Sequence, residues 1–143
     1  RTPDKEVERE GIRFVELETL LTESDIISLH VPLNASTRGF MNAERIAKLK
    51  KDAILINCAR GPVVDNEALA EALNAEKIAA AGIDVFDMEP PIPADYCLLN
   101  AKNVTLTPHV AFLSKESMIR RAKIEFDNVV SYIKGEKKNI CSF

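Results

Sequence analysis

Four short runs rich in apolar and β-branched residues recur along this chain: Asp25 to Val31, Ala53 to Asn57, Ala79 to Asp84 and Val104 to Thr107. Each is bounded by turn or cap residues and reads as a strand. Helical patterns lie between them. Asn42 to Leu49 opens on an asparagine suited to an N-cap, and Asp65 to Ala75 opens on Asp65 and spaces Leu69, Ala72 and Leu73 along one stripe. Strands that are apolar almost without interruption, alternating with helices, predict βαβ units in a parallel sheet covered on both faces. The fold class is α/β.

Outside that repeat, Ile12 to Val15 predicts a fifth strand, and Leu17 to Glu23 predicts one or two helical turns with Leu17, Leu20 and Leu21 on one face. The last helix is predicted from Ser114 to Lys134. Its apolar face carries Met118, Ala122, Phe126, Val129 and Ile133, and Gly135 is placed to end it. The segment from Phe86 to Asn103 has no periodicity and holds Pro90, Pro91 and Pro93, so it predicts a stiff, irregular loop.

With 143 residues, 46% hydrophobic and 29% charged, the chain has the composition of a globular protein with one sizeable core. Its net charge is −3, and basic residues are dispersed apart from Lys48, Lys50, Lys51 and Lys134, Lys137, Lys138, which argues against a nucleic-acid partner. The longest apolar run, Ile78 to Ile83, is far too short to span a membrane. Arg1 to Glu10 lacks the apolar stretch of a secretory signal, and the three cysteines show no C-x-x-C spacing. An intracellular, cytoplasmic protein with reduced thiols is expected. The two histidines, His30 and His109, lie in no ligand-spacing cluster, so no metal site is expected.

In parallel α/β sheets, ligands bind beyond the carboxyl ends of the strands. The second strong strand runs into Cys58-Ala59-Arg60-Gly61-Pro62, placing a guanidinium where it can grip a carboxylate bidentately and a glycine that permits a sharp turn. By residue type alone, such an arginine is an ordinary surface residue. The third strand ends in Asp84, whose carboxylate needs donors if it is buried, from a loop amide or from a ligand. The fourth leads through Pro108 to His109, a residue suited to general acid or base work or to a plain structural hydrogen bond. Glu89, on the proline-rich loop, would stabilise an imidazolium if it lay beside His109. Together these are a carboxylate clamp, a proton donor and its orienter; composition and spacing leave other acid-base chemistry open.

The runs Ser24-Asp25-Ile26-Ile27-Ser28-Leu29-His30-Val31-Pro32-Leu33, Ile56-Asn57-Cys58-Ala59-Arg60-Gly61-Pro62-Val63-Val64-Asp65, Ala80-Ala81-Gly82-Ile83-Asp84-Val85-Phe86 with Glu89-Pro90, and Thr107-Pro108-His109 resemble the D-isomer-specific 2-hydroxyacid dehydrogenases in order and spacing. The resemblance covers essentially the whole chain. It implies a Rossmann-like dinucleotide-binding fold, NAD or NADP as cofactor, and hydride transfer between NAD(P)H and a small 2-oxo acid or D-2-hydroxy acid. Arg60 would bind the substrate carboxylate, His109 would protonate the carbonyl oxygen, and Glu89 would hold the histidine. The cofactor-lining positions would be Val31, Pro32, Thr37, Cys58, Ala59, Asp84 and Ala111, with Asp84 accepting from the nicotinamide amide. The full-length protein would be a homodimer.

The family's G-x-G-x-x-G turn is missing, because the glycines are Gly11, Gly39, Gly61, Gly82 and Gly135. Residues 1–134 are therefore expected to be the C-terminal portion of the dinucleotide-binding domain, and 135–143 a stub towards the substrate domain. As such a truncated fragment, the chain would be inactive by itself. The resemblance also implies an alternative, since some relatives are dinucleotide-sensing corepressors. The residues after His109 are bulky, as in lactate-type members, whereas the short Glu89-Pro90-Pro91 loop is not, which leaves the 2-hydroxy acid open.

Overall fold

The computed structural model describes residues 11–88 and 91–140. In chain order the elements are α1 (Leu17–Glu23), β1 (Ile26–Leu29), α2 (Ala43–Ile46), β2 (Ile54–Asn57), α3 (Asn66–Asn74), β3 (Ala80–Ile83), β4 (Val104–Leu106) and α4 (Lys115–Ile133). Two 3-10 turns, Gly61–Val63 and Cys97–Asn100, lie after β2 and before β4. The second was not expected: a loop without periodicity still folds back to bury Tyr96 and Leu98. The chain divides into two units, one running to Pro108 and the other beginning at His109.

In the first unit the four strands form one parallel sheet in the order β1-β2-β3-β4. Ile26 is paired with Ile54 and Ile54 with Ala80, while Gly82 is paired with Thr105, so the alternating residues fall on defined faces. One face presents Ile27, Leu29, Leu55, Asn57, Ala81 and Ile83, all buried, and its apolar members share a core cluster with Leu21, Ile46, Leu69 and Leu73 from the helices. The opposite face is less covered than the sequence predicts. Ile26 there is 60% exposed, and Ile54, Ile56 and Ala80 are half-buried, because the leucine and isoleucine stripes of α1, α2 and α3 are buried with the other face.

Local capping explains where the helices start. The Asn42 and Asp65 side chains accept from the backbone N–H groups of Arg45 and Ala68, each at 3.0 Å, which satisfies a first-turn donor that has no intrahelical partner. α2 is shorter than its pattern, since regular helix stops at Ile46 and the chain turns towards β2. Residues 12–15 form no strand. Ile12 and Val15 are exposed, and this segment pairs with no strand among the described residues, so its β-branched composition has no ladder to join.

In the second unit, Ser114 caps α4 by accepting from the Ser117 N–H at 3.1 Å. At the other end Gly135, at φ +76°, donates to the Tyr132 carbonyl and Glu136 donates to that of Ser131, the paired bonds of a left-handed helix stop. Among the described residues, no helix is long and apolar enough to cross a membrane.

Candidate functional site at the carboxyl ends of the strands

β2 ends in an asparagine buried completely. The Asn57 side chain folds the turn that follows: its Oδ1 accepts from the Ala59 N–H and its Nδ2 donates to the Arg60 carbonyl, both at 3.0 Å. Ala59 is thereby turned inward and Arg60 outward. The Arg60 guanidinium is exposed and donates to the Ala59 carbonyl at 2.6 Å, with no ion pair to a carboxylate among the described residues. Asn57 was not singled out from sequence; the available signal was an amide side chain closing an apolar strand, where burial demands partners.

Gly61 is needed for a different reason from the sharp turn expected of it. Its backbone is not left-handed. A Cβ placed on it would lie 1.9 Å from the Phe86 carbonyl oxygen and 2.5 Å from the Asp87 nitrogen, so the peptide leaving β3 rests directly on this Cα.

An open cleft of about 520 Å³ lies beside this turn, lined by His30, Val31, Pro32, Leu33, Cys58, Ala59 and Arg60. The sheet register explains the grouping, because Leu29 of β1 is paired with Asn57 of β2 and both chains exit on the same side. Four of the sequence-derived cofactor positions, Val31, Pro32, Cys58 and Ala59, thus share one cleft with Arg60. Thr37 does not line it. Its hydroxyl donates to the Pro32 carbonyl at 2.5 Å and accepts from the Asn34 N–H at 2.9 Å, bracing the loop that forms one wall. His30, not among the expected site residues, does line the cleft, and its Nε2 lies 2.8 Å from the Ser28 hydroxyl.

Asp84 follows β3, buried, with its Oδ1 accepting from the Thr107 hydroxyl at 2.5 Å. Its neighbour across the sheet is Cys58, since Ile83 is paired with Asn57. Partial desolvation and the Asp84 charge push the Cys58 thiol above its ordinary range, which keeps it protonated and weakly nucleophilic. No group of three or more His, Cys, Asp or Glu side chains that could hold a metal is found among the described residues.

His109 opens the second unit. It adopts a left-handed backbone at φ +57°, is exposed, and stands edge-on to Phe112 at 6.5 Å. A non-glycine residue held there carries strain of about 1 to 3 kcal/mol, which clusters at functional sites. Ala111 lies two residues on, and Glu89 lies outside the described residues.

A parallel sheet with a cleft at its carboxyl edge, walled by small and apolar side chains and carrying an exposed arginine, is the architecture of a nucleotide-binding α/β domain. The chain belongs to the D-isomer specific 2-hydroxyacid dehydrogenase family, matching its NAD binding domain over residues 1–111. It is 45% identical over 134 residues to a hydroxypyruvate reductase of Blautia hydrogenotrophica, covering 94% of this chain and 41% of that protein. It is 47% identical over 126 residues to a glyoxylate reductase of Thermofilum pendens, covering 88% and 37% respectively. The crystal structure of D-lactate dehydrogenase with NAD+ from Lactobacillus jensenii superposes with a TM-score of 0.88 at 38% identity, over 99% of this chain and 46% of that one. The chain therefore spans less than half the length of these relatives, and it shares the Rossmann-like fold of the superposed structure.

Proposed function

We propose that the protein to which this chain belongs is an NAD(P)-dependent D-2-hydroxyacid dehydrogenase that interconverts a small 2-oxo acid and its D-2-hydroxy acid. The observation that carries this reading is the exposed Arg60 guanidinium, set by Asn57 beside a cleft of ligand size. The cleft walls suit a nicotinamide nucleoside: Val31, Pro32, Cys58 and Ala59 offer small and apolar surface, and a protonated Cys58 adds no negative charge. Those residues, with Thr37, Asp84 and Ala111, would hold NAD or NADP, Asp84 accepting from the carboxamide. The bound nicotinamide supplies the hydride chemistry.

This chain's own residues supply orientation and charge. Arg60 grips the substrate carboxylate through paired N–H groups, which fixes the angle of the adjacent carbonyl. His109 delivers a proton to the carbonyl oxygen on reduction and removes it on oxidation, with Glu89 as its orienter. Residues 1–134 belong to the dinucleotide-binding domain and 135–143 lead towards a substrate domain; the working protein is a cytoplasmic homodimer. The relatives described above are all named as reductases or dehydrogenases, which gives the corepressor alternative no support.

The test is nicotinamide oxidation by the full-length protein with pyruvate, hydroxypyruvate, glyoxylate and phenylpyruvate. Turnover is expected with at least one. Arg60→Ala should chiefly raise the substrate KM, and His109→Ala should lower kcat by about two to four orders of magnitude with cofactor affinity retained. Absence of turnover across the panel in a folded protein would overturn the reading.

A further inference from the structure

The loop that leaves β3 is pressed onto the arginine turn and tied down from two directions. The peptide between Phe86 and Asp87 sits so close to the Gly61 Cα that no side-chain atom fits between them. Packed matter transmits displacement, so a shift of that peptide must move Gly61 and, one residue before it, Arg60. The Asp87 carboxylate holds this peptide in place: Oδ1 accepts from Asn66 Nδ2 at 2.7 Å and Oδ2 accepts from the Tyr96 hydroxyl at 3.1 Å. Asn66 opens α3, immediately after the arginine turn, and Tyr96 precedes the 3-10 turn before β4. Both donors are buried, whereas Asp87 itself is exposed. Burial and the Asp87 charge push the Tyr96 phenol far above its usual range, so it remains a donor at any working pH. The Phe86 ring packs edge-on against Tyr96 at 5.8 Å, a second contact between Tyr96 and the residues that form this peptide.

We propose that Asp87 is a positioning residue for Arg60, acting through the contact of its own backbone with Gly61. The role rests on the reading above, in which Arg60 binds the substrate carboxylate. Bidentate grip depends on the angle of the guanidinium, and a small displacement of its backbone is enough to lose it. A solubilising surface carboxylate would require neither of two buried donors from separate elements. Asp87 has both, and its peptide is the one that bears on the arginine turn.

The experiment compares Asp87→Ala, Asp87→Asn and Ile78→Val in the full-length protein, the last being a buried core change that loosens the fold away from the cleft. Two quantities are read: amide hydrogen exchange at Val63 and Val64, whose N–H groups bond the Arg60 and Gly61 carbonyls, and KM against kcat for a 2-oxo acid that the parent reduces. Asp87→Ala should speed exchange at both amides and lower kcat/KM by about ten- to a hundredfold, chiefly through KM, with cofactor affinity unchanged. Asp87→Asn should recover most of the loss. Among the described residues the buried Asn66 Oδ1 has no hydrogen-bond partner, so reversing that amide offers an acceptor to the new side-chain N–H. Exchange at Val63 and Val64, or a KM, no different from that of Ile78→Val would overturn the proposal. Failure of the functional reading looks different: the unmodified protein would then reduce no 2-oxo acid, which removes the role of Arg60 and this one with it.

Discussion

The unit that runs to Pro108 and the unit that begins at His109 are built on opposite principles. In the first, backbone and side-chain partners come from far along the chain: strands pair across crossovers, Lys102 meets Glu76, and Asp87 meets Asn66. In the second, α4 is held by its own neighbours, with Ser114 at its start, Gly135 at its end and an Arg121–Glu125 pair one turn apart. The apolar surface follows the same division. Leu55, Leu69 and Leu73 are fully buried in the first unit, whereas every large apolar residue of α4 is at least 39% exposed and Phe126 is 73% exposed. Non-local contacts make a core, and local ones make only an element.

The largest expected effect lies in that contrast. Leu55→Ala should destabilise the chain by about 3 to 5 kcal/mol, because a fully buried leucine leaves a cavity in the sheet core. Phe126→Ala should change stability by no more than about 0.5 kcal/mol, since an exposed side chain leaves none. Urea denaturation of both variants checks the pair, and equal losses would break the comparison.

A smaller effect distinguishes the helix ends. α3 and α4 stop with the same two bonds, for Glu76 donates to Leu73 and Lys77 to Ala72 just as Gly135 and Glu136 do in α4. Yet α3 places a glutamate, at φ +54°, where α4 has glycine. Glu76→Gly should therefore stabilise the chain by about 1 kcal/mol through relief of left-handed strain, partly offset by loss of the Lys102 pair, and Gly135→Ala should destabilise it by about the same amount. Thermal melts read both signs.

The smallest concerns pH. Hydrogen bonding and charge from Lys102 hold the Glu76 carboxyl below its ordinary range. A depressed acid favours the folded state fully above its unfolded pKa, and that contribution fades as pH falls through the folded value. Both partners are exposed, so the effect should be slight and should shrink with added salt. A carbon-detected titration should find the Glu76 midpoint rising towards that of a free glutamate in Lys102→Ala.

Much of the site could be anticipated because one rule governs it: residues just past the carboxyl ends of parallel strands face the ligand region. That rule points to Arg60 past the end of β2, while the family resemblance, not the rule, implies Val31, Pro32, Cys58 and Ala59; all five line one cleft. The rule gives no hint that Thr37 would brace a wall, which follows from how the loop after β1 curls. A strand read on to Val31 passes over His30, whereas β1 ends at Leu29 and leaves His30 first past its end.

What the sequence by itself determined was whatever closes within a few residues. The caps at Asn42, Asp65 and Ser114 and the stop at Gly135 are legible because donor and acceptor lie within one turn of each other. The alternation of strand and helix is legible because each has its own period. Only the tertiary structure decided that residues 12–15 would pair with no strand among the described residues, that one sheet face would be less covered, and that Gly61 is required by a peptide 25 residues further along. It also decided that Asp87 would bind Asn66 and Tyr96 at once. A strand's hydrogen bonds and a glycine's close approach are made by a second segment, and no periodicity along the first can say which segment arrives or at what distance.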